Sequence, residues 1–104
     1  MRLTLGEVLR QADGLRWDHA LYAPGGRPYS EETPVLVWDV DDVSDDTDLP
    51  AEAIALGYDY VLGIQDVQGI VQNARQQRPD TTSADLLAAF HFYLDNDAFI
   101  LWAG

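Results

Sequence analysis

The run Val35-Leu36-Val37-Trp38 constrains the fold of this 104-residue chain more than any other stretch. Its side chains are apolar at odd and at even positions, and in a strand these point to opposite faces. An extended segment here must therefore bury both of its faces. A strand covered on both faces belongs in the interior of a sheet, with further layers packed above and below it. The run therefore predicts a central β-strand, and a chain of this length can bury a core large enough to cover it.

The segments around this strand predict the other elements. Thr4 and Glu7 form a capping-box pattern, and the apolar spacing after them predicts a helix that reaches Gly14, with residues 1–7 as its entry. The remaining predictions, in chain order, are a strand over 20–23, a short helix with Pro50 in its first turn and Gly57 after its end, a strand over 58–63, a long helix capped by Asp66 and ended by Pro79, and a helix that starts near 81–83 and breaks at 95–97. The last apolar run, 98–102, fits either an edge strand or a packed tail.

These elements predict an α+β fold. We expect a small mixed or antiparallel sheet of three to four strands, packed with three longer helices and one short helix. Since no linker, repeat or low-complexity tract interrupts the order, residues 1–104 are expected to form a single globular domain.

Charge and cysteine content exclude several classes of function. Eighteen acidic residues stand against six arginines and no lysine, which gives a net charge of -12. Such a charge repels nucleic acid and anionic membranes, and it attracts cationic partners. The absence of cysteine removes disulfides, thiolate zinc sites and cysteine nucleophiles. No signal-peptide pattern or membrane-spanning apolar run is present, so a cytoplasmic location is expected.

An acidic segment follows the central strand and has three interpretations. Asp39-x-Asp41 resembles the opening motif of haloacid-dehalogenase-type phosphatases, but that Mg²⁺ chemistry needs a lysine and a longer domain. An EF-hand loop that starts at Asp39 would place Val43 and Ser44 at its fifth and sixth positions, where a ligand and a glycine are needed. The favoured interpretation is an electrostatic landing site for a cationic protein. Its carboxylates are Asp39, Asp41, Asp42, Asp45, Asp46 and Asp48.

Other titratable residues give weak signals. His91 and Asp95 are four residues apart on one helix face, which suits a metal or an acid-base pair, but no third ligand is visible. The neighbouring residues Asp18 and His19 give no stronger signal for a metal site or an acid-base pair. Phosphate-loop and nucleophile-elbow motifs are also absent from the sequence. We therefore predict no catalytic residue, no metal ligand and no cofactor, and we do not expect an enzyme.

Aromatic residues supply the candidate anchors for a partner. Tyr58 and Tyr60 share one strand face around the carboxylate of Asp59, and Phe92 lies opposite the apolar stripe of its helix. Tyrosine and tryptophan dominate the hot spots of protein interfaces. Together with Trp38 at the start of the acidic segment, these residues complete the predicted partner-binding set.

Several segments together carry a resemblance to a known family. They are Leu3-Thr-Leu-Gly-Glu-Val-Leu9, Trp17-Asp-His-Ala-Leu-Tyr22, Gly63-Ile-Gln-Asp-Val-Gln68, Asn73-Ala-Arg-Gln-Gln-Arg-Pro79 and Asp95-Asn-Asp-Ala-Phe-Ile100. Taken together, they resemble a family of small bacterial domains of unknown function, over nearly the whole chain. That family brings no established catalytic residues. In size, acidity and lack of motif, the chain also resembles in type the immunity proteins of contact-dependent inhibition and other polymorphic toxin systems.

The expected function is therefore protein binding. An immunity protein or antitoxin would neutralise a cognate toxin, such as a nuclease, by covering its basic active-site cleft. The first alternative is a small cytoplasmic regulatory or adaptor domain whose acidic loop is only solvated. A remote alternative is a Mg²⁺-dependent phosphoester hydrolase that uses Asp39 and Asp41. The oligomeric state stays open.

Overall fold

A computed structural model describes residues 1–26, 28–39 and 49–102. Within those ranges the chain forms an α+β fold of four strands and four α-helices. In chain order the elements are β1 (Arg2–Thr4), α1 (Leu5–Arg10), a 3₁₀ turn (Ala12–Gly14), β2 (His19–Pro24), β3 (Pro34–Asp39), α2 (Ala51–Leu56), β4 (Tyr58–Gly63), α3 (Ile64–Gln77) and α4 (Ser83–Asn96).

The four strands form one antiparallel sheet in the order β1-β3-β2-β4. Strand β3 lies inside the sheet, and Leu36 faces Arg2 on one side and Tyr22 on the other. Val35 and Val37 are buried in the larger core, whereas Leu36 is buried in a second cluster. The central strand with two covered faces is thus confirmed.

Two layers of unequal size cover the sheet. Helices α1, α3 and α4 supply the larger core, and they pack against Leu21 and Ala23 of β2 as well as against β3. Their buried residues are Leu5, Val8, Leu9, Ile64, Val67, Ile70, Val71, Ala74, Leu86, Ala89 and Phe90. The second cluster is smaller and joins Ala53 of α2 to Ala20, Tyr22 and Leu36 of the sheet. We call this second side the α2 face.

The beginning of the chain differs from the prediction. Residues 2–4 form the edge strand β1 instead of a helix entry, because they pair with Pro34, Val35 and Leu36. A three-residue strand is too short to show a period of two in its own sequence. Helix α1 then starts with the predicted capping box of Thr4 and Glu7 but ends at Arg10, and a 3₁₀ turn carries the chain on to Gly14.

Helix boundaries elsewhere follow the sequence signals with one error. Pro50 is the N-cap of α2, and Gly57 ends that helix in the left-handed region with φ of 74°. Thr82 caps α4 through a reciprocal capping box with Asp85. The prediction of Asp66 as a cap was wrong: α3 begins at Ile64, and Asp66 lies in its first turn, where a carboxylate favours the helix dipole.

The last apolar run forms a packed tail and not a strand. The side-chain amide of Gln77 donates to the carbonyl oxygen of Ile100 over 2.7 Å, and its oxygen accepts from the amide of Trp102 over 3.0 Å. The guanidinium of Arg78 lies 4.5 Å from the centre of the Trp102 ring. Within the described residues, no helix is long and apolar enough to cross a membrane.

Candidate partner-binding surface

Strand β3 delivers the first carboxylate of the acidic segment. Asp39 is the last residue of the strand and lies opposite His19, the first residue of β2. It is exposed, as expected where a buried strand meets solvent. The other predicted carboxylates, Asp41, Asp42, Asp45, Asp46 and Asp48, lie outside the described residues. The segment therefore leaves the sheet at the carboxyl end of its central strand.

Three of the four predicted aromatic anchors share the α2 face. Trp38 and Tyr58 are half-buried and pack against the second cluster. Tyr60 is 54% exposed, and its ring meets the ring of Tyr22 nearly at a right angle, with centroids 5.9 Å apart. The ring of the buried Tyr22 thus packs against the ring of Tyr60 from the core side. This face presents aromatic rings that are held in place and yet partly open to solvent.

The sheet register relates Trp38 to Tyr60. Trp38 faces Ala20, and Ala20 faces Gly63 on the far side of β2. In the pairing of β2 with β4, Tyr60 faces Tyr22. The two anchors lie on strands separated by two spacings, roughly 10 Å. A single protein partner can cover both of them.

Phe92 does not join this group. It is half-buried on α4, in the helix layer that covers the opposite side of the sheet. A partner seated on the α2 face cannot contact it without wrapping around the sheet. If Phe92 binds anything, it does so as part of a different surface.

A surface cavity connects the aromatic and acidic parts. It has a volume of about 440 Å³, and among the described residues it is lined by Met1, His19, Val37, Trp38 and Asp39. An indole wall beside a carboxylate suits a long cationic side chain, which has an apolar stem and a charged end. The cavity lies at the end of the sheet where the acidic segment departs.

Positive charge in the described part of the chain is already engaged. Every arginine there pairs with a carboxylate at 2.9 to 3.8 Å. The pairs are Arg2–Glu52, Arg10–Glu31, Arg16–Asp18, Arg75–Asp13 and Arg78–Asp85. Such exposed pairs stabilise the fold little, but each neutralises a guanidinium locally. The described arginines therefore oppose a cationic partner little, whereas the N-terminal ammonium of Met1, which donates to the carbonyl oxygen of Val37, adds positive charge beside the cavity.

Three groups on β2 or just before it have shifted pKa values. The hydrogen bonds from Arg16 hold the pKa of the Asp18 carboxyl below its usual range. The same bonds raise the pKa of Arg16, and the charge of Asp39 adds to that rise. In the second cluster, burial raises the pKa of Tyr22, with smaller contributions from Tyr60 and Asp39.

The two histidine motifs have structural surroundings. His91 Nε2 lies 3.2 Å from the amide nitrogen and 3.1 Å from the carbonyl oxygen of Tyr29, so it ties α4 to the loop before β3. His19 starts β2, and its amide donates to the carbonyl of Arg16. In the part of the chain that the structure describes, no three His, Cys, Asp or Glu residues are grouped to hold a metal ion.

The predicted set did not include the exposed Trp17. Its side chain is 64% exposed, and it lies two residues before His19, the partner of Asp39. In the sequence, Trp17 is only the first of several aromatic and apolar residues without period. The useful signal was its position between Arg16 and Asp18, since opposite charges two residues apart can clamp a turn.

Comparison with known proteins gives one match. A family model described as "Domain of unknown function (DUF7716)" matches residues 2–102. No curated protein and no solved structure matches the chain.

Proposed function

Because the chain belongs to this family of domains of unknown function, we propose a function from its surface: it binds a cationic protein, as the immunity protein or antitoxin of a cognate toxin. The binding surface is the α2 face together with the acidic segment that starts at Asp39. Trp38, Tyr58 and Tyr60 are its aromatic anchors. The observation that carries this proposal is the placement of Trp38 next to Asp39, at the origin of the acidic segment, with the rings of Tyr60 and Tyr58 farther along the same face of the sheet.

Each part of the surface has a separate task. The carboxylates attract a positively charged partner from a distance and raise the association rate, an effect that salt weakens. The rings act after contact, because burial of aromatic side chains slows dissociation. The sheet holds the rings in place before binding, so little conformational entropy is lost on association.

A nuclease toxin fits this arrangement best. A nuclease cleft carries the positive charge that binds the phosphates of its substrate, and a cluster of Asp side chains is complementary to that charge. An inhibitor bound there excludes the nucleic acid both sterically and electrostatically. This mechanism needs neither a catalytic residue nor a cofactor in the inhibitor.

Co-expression with the protein encoded beside this chain, which the proposal expects to carry a toxin domain, tests the proposal. The wild-type chain should protect the host cell, co-purify with that domain, and inhibit its activity at equimolar ratio. The variant with Trp38→Ala and Tyr60→Ala should protect poorly; because both rings also pack against the second cluster, its folded fraction is measured by circular dichroism alongside the wild type. If the wild-type chain neither protects the cell nor forms a complex with the adjacent toxin domain, the proposal is wrong.

A further inference from the structure

We infer that Trp17 is a preorganised anchor for a cationic side chain of the partner. The occupant is the ammonium or guanidinium group of a lysine or arginine, which binds over the indole ring. This inference rests on the proposed function, because it assumes that the partner is cationic. It adds a binding residue that lies outside the predicted set.

Two interactions hold the backbone around Trp17. Arg16 donates to Asp18 through Nε over 3.1 Å and through Nη2 over 2.9 Å, which is a bidentate ion pair. The amide of His19 donates to the carbonyl of Arg16 over 3.2 Å and closes the turn that contains Trp17. The ion pair and the turn hydrogen bond together restrain the residue between them.

The indole itself faces solvent. Its side chain is 64% exposed, although a tryptophan that serves only packing is usually well buried. An exposed indole on a restrained turn has two properties of an interface hot spot. It offers a large apolar area, and binding costs little additional ordering of the backbone.

The charge around the turn selects a cation. The turn leads directly into His19, which pairs with Asp39 at the origin of the acidic segment. Arg16 does not oppose a cationic ligand strongly, because Asp18 neutralises it. A cation drawn by the net charge of -12 therefore meets an exposed indole here, and a cation-π contact forms when the cation lies over its ring.

Titration with a nona-arginine peptide in low salt tests the inference on the intact chain. Affinity is measured by calorimetry, and the indole N–H signals of the three tryptophans are followed by NMR. The signal of Trp17 should shift on binding. Trp17→Leu keeps an apolar side chain but removes the ring, so it should weaken binding about fourfold, and Trp17→Phe should weaken it less.

Leu101→Ala is the matched control, because Leu101 is 85% exposed and lies in the tail that Gln77 holds. It should bind the peptide as the wild type does. If Trp17→Leu also binds as tightly as the wild type, the role of Trp17 is refuted and the proposed function stands. If the wild type itself does not bind the peptide in low salt, the cation-binding surface is refuted, and the role of Trp17 with it.

A charge-neutral double variant tests the ion pair between Arg16 and Asp18 separately. Arg16→Gln combined with Asp18→Asn removes the ion pair and leaves the net charge unchanged. We expect about twofold weaker binding of the peptide. The NMR signal of the Trp17 indole should become narrower, because the ring becomes more mobile. Unchanged affinity together with an unchanged indole signal would show that the ion pair does not position Trp17, and would overturn that part of the inference.

Discussion

The exposed ring of Tyr60 rests edge-on against the buried ring of Tyr22, with 5.9 Å between the centroids and 77° between the planes. Tyr22 is 1% exposed and belongs to the second cluster, whereas Tyr60 is 54% exposed on the edge strand β4. The contact therefore joins the core of the protein to its candidate binding surface. Changes at Tyr60 are expected to affect both.

Replacement of Tyr60 should separate packing from binding. Tyr60→Ala removes the aromatic pair and should lower the free energy of unfolding by about 1 kcal/mol, measured by urea denaturation. Tyr60→Phe keeps the ring and should cost less than half of that. If Tyr60→Ala is as stable as the wild type, the ring contact does not support the strand.

Charge reversal in the acidic segment should slow association with the toxin domain. Asp45→Lys with Asp46→Lys changes the net charge by the same amount as Glu32→Lys with Asp80→Lys, at exposed positions elsewhere on the protein. The first pair should lower the association rate about tenfold at low salt, and this difference should shrink as salt increases. Stopped-flow kinetics measures both rates. Equal effects of the two pairs would favour the adaptor alternative, in which the segment is only solvated.

The capping box of α1 should make stability depend on pH through Glu7. Its pKa is lowered from the ordinary 4.5, first by the hydrogen bond from the Thr4 amide and then by the Thr4 hydroxyl. A lowered pKa means that this stabilisation is complete above pH 4.5 and is lost as pH falls through the value in the folded state. Glu7→Gln preserves the capping bond without a titrating group. The stability difference between wild type and Glu7→Gln, measured by urea denaturation, should therefore change below pH 4.5 and stay constant between pH 6 and 8.

Thr4→Ala serves as the control for this pH effect. It removes the side chain that caps the helix and should cost about 1 kcal/mol at neutral pH. In the Thr4→Ala background, Glu7→Gln should produce a smaller change below pH 4.5. An undiminished change would mean that the backbone amide of residue 4, which Thr4→Ala keeps, lowers the pKa of Glu7 without help from the Thr4 hydroxyl.

Gln77 should hold the tail through its side-chain amide. Gln77→Ala removes the hydrogen bonds to Ile100 and Trp102 and should cost about 1 to 2 kcal/mol if the tail unfolds with the domain. It should also increase hydrogen exchange at the Trp102 amide. The neighbouring Gln76 is exposed on the same helix, so Gln76→Ala is the matched control and should change neither quantity. Unchanged exchange in Gln77→Ala would show that packing alone holds the tail.

Local sequence signals determined most of the elements. The apolar run 35–38 predicted a central strand with two covered faces, and the structure buries Val35 and Leu36 on opposite sides of the sheet. Capping residues predicted the starts of α1 and α4, because a cap is a hydrogen bond within a few residues of the chain. The same locality explains why Gly57 ends α2, since the left-handed region suits glycine.

The predictions that were wrong concern elements whose structure depends on residues distant in the sequence. Strand β1 exists because β3 offers it hydrogen bonds, and three residues carry no periodic signal of their own. The tail is no strand because a side chain of α3, and not a neighbouring strand, satisfies its backbone. Gly63 caps α3 without a side-chain hydrogen bond, so no polar side chain in the sequence marks the start of this helix, and Asp66 instead lies in its first turn.

For the binding surface, the sequence by itself determined the charge and the residue types. Net charge and the position of six carboxylates after the central strand are properties of the chain, whatever its fold. Only the tertiary structure decided which rings lie together, because strand order and register place residues from different strands on one face. It brought Trp38, Tyr58 and Tyr60 to the α2 face, left Phe92 in the other layer, paired His19 with Asp39, and left Trp17 exposed.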